Sequence, residues 1–121
     1  MPAKIIDGKK VAEKFLKDIN KNIKQSKEKP GLAIVLVGKN PASEIYVNFK
    51  EKKAREVGLY FKRFNLDKNV SQDGLLRIID DINQNRKIHG VIVQLPLPDQ
   101  IDETLVVDSI LPHKDADGFT P

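Results

Sequence analysis

Two apolar runs, Leu32–Val37 and Gly90–Leu95, constrain the fold of this chain most strongly. Both are too short for a buried helix and rich in Val, Ile and Leu, which is typical of strands that are buried on both faces. Pro96 and Pro98 follow the second run, and proline cannot continue a strand ladder. We therefore expect two buried strands, with Gly90–Leu95 central in its sheet because it is apolar on both faces.

Helical patterns separate these strands. A helix is predicted from Asn40, which can cap it, through Pro41 to the terminating Gly58. Ser71 and Asp102 are capping residues for two more helices, the second ending near Ile110. A long N-terminal helix is predicted over residues 8–27, with an apolar stripe facing the core that consists of Val11, Phe15, Ile19 and Ile23.

Two further segments have strand character. Residues 59–66 alternate in part between apolar and polar side chains, which predicts a strand with one wetter face. Ile5–Ile6 is expected to form a short strand at the N-terminus. Strands that alternate with helices indicate a three-layer α/β/α domain with a mostly parallel sheet.

The composition excludes several classes of protein. The chain has 121 residues, 40% of them hydrophobic and 31% charged, which suits one folded domain. With no cysteine and two separated histidines, it lacks disulfides, thiol catalysis and an evident zinc site. The net charge of +4 comes without interleaved aromatic residues, so we expect no nucleic-acid partner. No apolar run has the length of a membrane span, and we expect no membrane partner.

One helix face combines a phenol with an amine. Ser43, Tyr46 and Lys50 are spaced three and four apart, so they share a face of the helix that follows the first buried strand. Gln94 ends the other apolar strand, and carboxyl ends of parallel strands lie at one edge of a sheet, where such folds hold ligands. These residues are candidates for one cleft. A tyrosine that covers the core edge beside a solvated lysine is the structural alternative, and the Gln94 amide could equally be satisfied by backbone groups.

Asp115 and Asp117 lie in a loop bounded by proline and glycine. Ordinary turn residues are the simplest interpretation of both, and for Asp115 the preferred one.

Three motifs together resemble a known family. They are V-G-K-N-P-A-S-E-I-Y-V-N-F-K, V-Q-L-P-L-P and K-D-A-D-G-F-T-P. In this order and separation they resemble the bifunctional methylene-tetrahydrofolate dehydrogenase/methenyl-tetrahydrofolate cyclohydrolase family. The resemblance covers essentially the whole chain, residues 1–121, as that family's N-terminal folate-binding catalytic domain. It implies the fold of the N-terminal domain in amino-acid-dehydrogenase-like two-domain enzymes.

The resemblance also implies residue roles. Lys50 would be the principal catalytic group, Gln94 would bond to it, and Tyr46 would stack on the folate. Asp117 would recognise the pterin ring. The other implied substrate-binding positions are Ser43, Leu95 and Pro96. Ala116 and Thr120 depart from the commonest pattern, where valine and histidine are frequent, and neither is a catalytic position.

The implied partners are small molecules. Tetrahydrofolate would be the substrate and NADP the cofactor, held by a C-terminal Rossmann domain that is absent from this chain. The resemblance implies a cytoplasmic enzyme of one-carbon metabolism and purine biosynthesis, a homodimer at full length, whose isolated domain is a monomer or weakly associated. Two alternatives stay open: a folate-binding module without turnover, and the N-terminal domain of an amino-acid dehydrogenase, which should lack V-Q-L-P-L-P and K-D-x-D-G.

Overall fold

Three parallel strands form the sheet in the computed structural model, which describes residues 2–120. They are β1 (Gly31–Val37), β2 (Tyr60–Leu66) and β3 (Gly90–Val93), in the order β2-β1-β3. The prediction that Gly90–Leu95 is central is therefore wrong: β1 is central, and the outer edge of β3 meets only a single bridge between Val91 and Asp115. β3 is apolar on both sides because helices cover both faces of the sheet, and such cover does not require a central position.

The helices are α1 (Gly8–Gln25), α2 (Pro41–Val57), α3 (Gln72–Gln84) and α4 (Glu103–Ser109), followed by a 3₁₀ turn at Pro112–Lys114. Each α-helix starts at a side chain that accepts backbone N–H groups of the first turn; these caps are Asp7, Asn40, Ser71 and Asp102. Gly58 ends α2 with a φ of 94°, a left-handed conformation that favours glycine. The caps and the α2 terminator confirm the predicted helix boundaries to within a few residues.

Alternate residues of β1 pack into two separate core layers. Val35 and its neighbours on one face pack against α3 and α4, where Ile79 and Val106 are fully buried. Ile34 and Leu36 on the other face pack against α2 through Val47 and Ala54, with Phe61 of β2 alongside. The sheet thus lies between two helical layers, which confirms the predicted α/β/α architecture.

α1 contradicts its predicted packing. None of its residues is buried, and Val11, Phe15 and Ile19 are 45, 64 and 43% exposed. α1 contacts α2 near its C-terminal end, where the Asn20 side-chain amide donates to the Val57 carbonyl at 3.0 Å. The apolar residues share one face of α1, as predicted, but within residues 2–120 nothing covers the first two turns of that face.

The predicted Ile5–Ile6 strand is also wrong. Both side chains are more than four-fifths exposed and have no sheet partner among residues 2–120. Two apolar residues without an adjacent ladder cannot supply the hydrogen bonds that a strand needs. Within the same residues, no helix is long and apolar enough to cross a membrane.

Candidate functional site

Lys50 and Gln94 meet at the carboxyl edge of the sheet. The Lys50 Nζ donates to the Gln94 Oε1 at 2.9 Å, between two side chains that are each partly buried. Because the first strand and the third are parallel neighbours, this contact joins the helix that follows β1 to the residue that follows β3. The predicted convergence of these two residues is confirmed.

The local backbone explains why Gln94 points at α2. Its N–H donates to the Val35 carbonyl at 2.9 Å, so the ladder between β1 and β3 extends one residue beyond the strand. Successive side chains of an extended chain alternate between faces. Ile92 packs in the core layer beneath α2, and Gln94, two residues later, lies on the same side of the sheet.

Lys50 owes its position to the buried stripe of α2. Val47 and Ala54, which are fully and almost fully buried, hold one face of the helix on the sheet, and Lys50 lies between them along that face. The long alkyl stem can follow the apolar surface while the amine reaches the sheet edge. A neutral amide acceptor then fixes the direction of the amine without adding a charge.

The other two members of the predicted helix face have different surroundings. Ser43 is 4% exposed, and its backbone N–H donates to the Asn40 side chain within the cap. Tyr46 is 61% exposed and lies one turn before Lys50 on α2. A flat ring with a polar tip is therefore available to solvent beside the Lys50–Gln94 pair.

The segments that follow β3 complete the edge. Leu95, half-buried, and Pro96, exposed, come directly after Gln94. Asp117 is exposed and lies two residues beyond Asp115, the residue that bridges to Val91 of β3. Among residues 2–120, no hydrogen bond joins Asp117 to Lys50 or Gln94. The structure thus joins Lys50 and Gln94 directly and leaves Asp117 on a separate loop beside the same strand.

Sequence reasoning missed how this loop is built. The Asp115 carboxylate accepts the N–H groups of Gly118 and Thr120, so the expected turn role of Asp115 is confirmed but is wider than a simple turn. The Thr120 N–H is the main reason that the pKa of Asp115 lies below its usual value. Lys114, which we had not singled out, is 8% exposed, and burial lowers its pKa.

The missed residues left little trace in the sequence. A lysine directly after Pro112 and His113 reads as an exposed turn residue, although its amine contacts the end of α3 in the structure. Lys114 and Asp115 both lie in the motif K-D-A-D-G-F-T-P. The spacing of its two aspartates is the one feature of the sequence that points to a special role for this loop.

A cavity of about 700 Å³ lies at the carboxyl end of β2, beside the segment that leads into α2. Its wall includes Arg63, which donates to Asn48 at 2.6 Å and pairs with Glu51 at 3.2 Å. The cavity is lined by Gly38, Lys39, Glu44, Arg63, Asn65, Leu66, Asp67 and Lys68. None of the predicted site residues lines this cavity, so the cavity and the predicted site lie in different places. We assign the candidate site to the Lys50–Gln94 pair, because its hydrogen bond orients an amine at the carboxyl edge of the parallel sheet.

The chain matches a known family over almost its whole length. Residues 6–117 match the family model described as tetrahydrofolate dehydrogenase/cyclohydrolase, catalytic domain. The chain is 50% identical over 121 residues to the bifunctional protein FolD of Halothermothrix orenii, covering 98% of this chain and 43% of that protein. It is 48% identical to the FolD protein of Moorella thermoacetica, covering 100% of this chain and 44% of that protein. The chain therefore spans under half the length of these relatives.

Solved structures give the same result. A methylenetetrahydrofolate dehydrogenase from the silkworm, Bombyx mori, superposes with a TM-score of 0.92 at 36% identity, over 98% of this chain and 42% of that one. The dehydrogenase-cyclohydrolase FolD of Trypanosoma brucei, solved with NADP and an inhibitor, gives 0.89 at 36% identity, over 97% and 41%.

Proposed function

Because this chain belongs to the tetrahydrofolate dehydrogenase/cyclohydrolase family, we propose that it is the folate-binding catalytic domain of a bifunctional enzyme of one-carbon metabolism. That enzyme would oxidise methylene-tetrahydrofolate to methenyl-tetrahydrofolate with NADP and hydrolyse methenyl- to formyl-tetrahydrofolate. The observation that carries the proposal is the 2.9 Å hydrogen bond from Lys50 to Gln94 at the carboxyl edge of a parallel sheet. It places an oriented amine where open α/β sheets hold ligands.

The hydrolytic step needs a base. Water attacks the methenyl carbon of a cationic five-membered ring, and the new C–O bond forms as a proton leaves the water. Lys50 accepts this proton while it is neutral, and Gln94 keeps the amine aimed at the attacking water. Opening one ring C–N bond, with protonation of the departing nitrogen, yields the formyl product. A general base in this position contributes about 10²–10⁴-fold in rate.

Substrate recognition would use the groups around the pair. The Asp117 carboxylate can accept two parallel N–H bonds from the amino-pyrimidine edge of the pterin, a geometry related to bidentate guanidinium recognition. Tyr46 offers its exposed ring for stacking on the folate. Ser43, Leu95 and Pro96 would form the adjoining wall of the cleft.

The dehydrogenase step draws its hydride chemistry from NADP. Residues 2–120 do not fit a dinucleotide, because the turn between β1 and α2 carries only Gly38 before Lys39, Asn40 and Pro41. A pyrophosphate cradle at such a turn needs several closely spaced glycines. We therefore place the NADP site on a Rossmann-type C-terminal domain outside this chain. What residues 2–120 contribute to oxidation is the folate position.

The wider setting belongs to the same proposal. The full-length protein would be a cytoplasmic homodimer, and this domain alone a monomer or a weak associate. A folate-binding module without turnover is the alternative that this domain best allows. An amino-acid dehydrogenase domain is disfavoured because V-Q-L-P-L-P and K-D-A-D-G are both present.

Lys50→Met in the full-length protein tests the function. The rate of methenyl-tetrahydrofolate hydrolysis, measured as the loss of absorbance of this compound, should fall about 10²–10⁴-fold because the base is removed. Thermal unfolding should hardly change, since Lys50 is only partly buried. Lys52→Met is the matched control, an exposed lysine on the same helix, and should retain normal hydrolysis. Near-normal hydrolysis by Lys50→Met would refute the assignment of the base.

A further inference from the structure

A single carboxylate closes the loop that carries Asp117. Oδ1 of Asp115 accepts the Gly118 N–H at 2.9 Å, and Oδ2 accepts the Thr120 N–H at 2.5 Å. Gly118 has a φ of 71°, a conformation that a side chain would strain. Asp117 lies inside this closed loop, between Asp115 and the two N–H groups that donate to the Asp115 carboxylate, so its backbone is held in place.

The start of the loop is tied to the sheet. The Ala116 N–H donates to the Val91 carbonyl at 3.3 Å, and Asp115 forms a parallel bridge with Val91. Asp115 is therefore held beside Val91 of β3. The chain turns directly afterwards, at Ala116 and Asp117.

Lys114 attaches the start of the loop to the end of α3. Its Nζ donates to three carbonyls at the end of α3, those of Ile82 at 3.1 Å, Asn83 at 2.7 Å and Asn85 at 3.0 Å. A buried ammonium is costly unless it is well hydrogen-bonded, and the carbonyl end of a helix is a favourable place for a cation. The proposed mechanism makes no use of this amine, and its contacts all serve to hold the loop in place.

Asn83 reinforces the same junction. Its side-chain amide donates to the Ser109 carbonyl at 2.8 Å and its Oδ1 accepts the Leu111 N–H at 3.2 Å. The whole segment from α4 to Asp115 is thus fixed to α3 by polar groups. Beyond Asp115, the loop is held by a backbone hydrogen bond from the Gly118 N–H to the Asp115 carbonyl at 3.4 Å and by the two N–H groups that donate to the Asp115 carboxylate.

We propose that Asp115 is a positioning residue for Asp117, closing a loop that Lys114 anchors, so that the Asp117 carboxylate is preorganised for a planar amino-pyrimidine. This rests on the proposed function, in which Asp117 recognises the pterin. A bidentate contact needs both acceptor oxygens correctly oriented before binding, and an open loop would have to be ordered at the expense of affinity. Asp115 itself has no contact with the ligand in this scheme.

The test is a double-mutant cycle in the full-length protein carrying Lys50→Met, so that the ligand is not hydrolysed, with the dissociation constant of methenyl-tetrahydrofolate measured by calorimetry. Asp117→Ala and Asp115→Ala should each weaken binding, the latter about tenfold, because loop ordering then opposes binding. The double variant should bind no more weakly than Asp117→Ala alone, since Asp115 has nothing left to position. Asp108→Ala, an exposed aspartate on α4, is the matched control and should bind normally.

Each outcome separates this inference from the function it rests on. If Asp117→Ala binds normally, the assigned pterin recognition fails and the positioning role fails with it. If Asp117→Ala binds weakly but Asp115→Ala binds normally, only the positioning role is overturned. Losses that add in the double variant would also overturn it, because they would show that Asp115 acts elsewhere. Should Asp115→Ala fail to fold, Asp115→Asn, which keeps one acceptor oxygen, replaces it in the same cycle with an intermediate loss expected.

Discussion

Gln94 holds the Lys50 amine with a neutral oxygen, and its neutrality is as important as its position. A carboxylate at the same place would favour the charged form of the amine, which cannot accept a proton from water. Gln94→Glu should therefore reduce methenyl hydrolysis at neutral pH about tenfold or more.

The measurement is the hydrolysis rate at neutral pH in the full-length protein. Gln94→Leu is the matched variant, because it removes the 2.9 Å hydrogen bond without adding a charge. It should lower the rate less than Gln94→Glu does. A Gln94→Glu rate equal to the parent rate would contradict the role of Lys50 as the base.

The protonation state of Asp115 should determine whether its loop stays closed. The Thr120 N–H, foremost among its partners, lowers the pKa of Asp115 below the ordinary value of 3.8. A depressed carboxyl pKa stabilises the closed loop fully above the unfolded value, and this contribution is lost as the pH falls through the lowered pKa. We expect the amide NMR signals of Gly118 and Thr120 to shift together in a transition whose midpoint lies below the ordinary value of 3.8. In Asp115→Asn this joint transition should be absent, and a transition at ordinary aspartate pH would contradict the closed loop.

At the scale of single residues, the sequence predicted a contact where one general rule was enough to place both partners. Lys50 and Gln94 could be placed together because carboxyl ends of parallel strands share an edge, and helix spacing put Lys50 on the correct face. Lys114 could not be predicted, because its partners Ile82, Asn83 and Asn85 lie about thirty residues earlier and are reached only through the tertiary fold. The catalytic and binding roles themselves stay predictions until variants are measured.

Among the elements, β1 depends on a close backbone approach at its first residue. A Cβ added at Gly31 would lie 1.8 Å from the Lys87 carbonyl oxygen, and the Gly31 N–H donates to the His89 Nδ1 at 2.9 Å. Gly31→Ala must push the two chains apart, and overpacking of this kind costs about 1–3 kcal/mol. Urea unfolding should show this loss of stability.

Gly8→Ala is the control for that substitution. Nothing lies within 4 Å of a Cβ at Gly8, and the residue begins α1, where alanine is the better helix former. Its stability should be unchanged or slightly higher. Equal effects of the two variants would show that the close approach at Gly31 does not constrain the strand.

Local signals predicted the elements, and non-local pairing decided their arrangement. Asn40, Pro41 and Gly58 mark α2 correctly because caps and terminators act within a few residues. The order of the strands depends on which edges meet, and the pattern of β3 carries no information on that. The stripe of α1 shows the same limit, since periodicity predicts that a face exists without showing what covers it.

At the scale of the whole molecule, the proposed function makes residues 2–120 one wall of a cleft. The carboxyl edge of the sheet carries the amine, the amide and the exposed Tyr46 ring, and the long apolar side chains Ile45, Phe49 and Phe119 are also exposed. Both proposed reactions share this wall. Hydrolysis requires only water and a base there, whereas oxidation requires a nicotinamide held close to the same carbon.

The 121-residue chain on its own should therefore lack the dehydrogenase reaction but still bind the folate. Hydride transfer needs its reacting atoms about 3–3.5 Å apart in a fixed orientation, and residues 2–120 present no glycine-rich turn that would hold a dinucleotide. We expect the purified chain, mixed with methylene-tetrahydrofolate and either NADP or NAD, to show no rise in reduced-nucleotide absorbance. Calorimetry on the same sample should still detect binding of methenyl-tetrahydrofolate, more weakly than in the full-length protein because one wall is missing. Asp117→Ala in the same chain should weaken that binding further, which ties it to the proposed site. Nucleotide reduction at an ordinary enzymatic rate would show that the cofactor site lies within these residues after all.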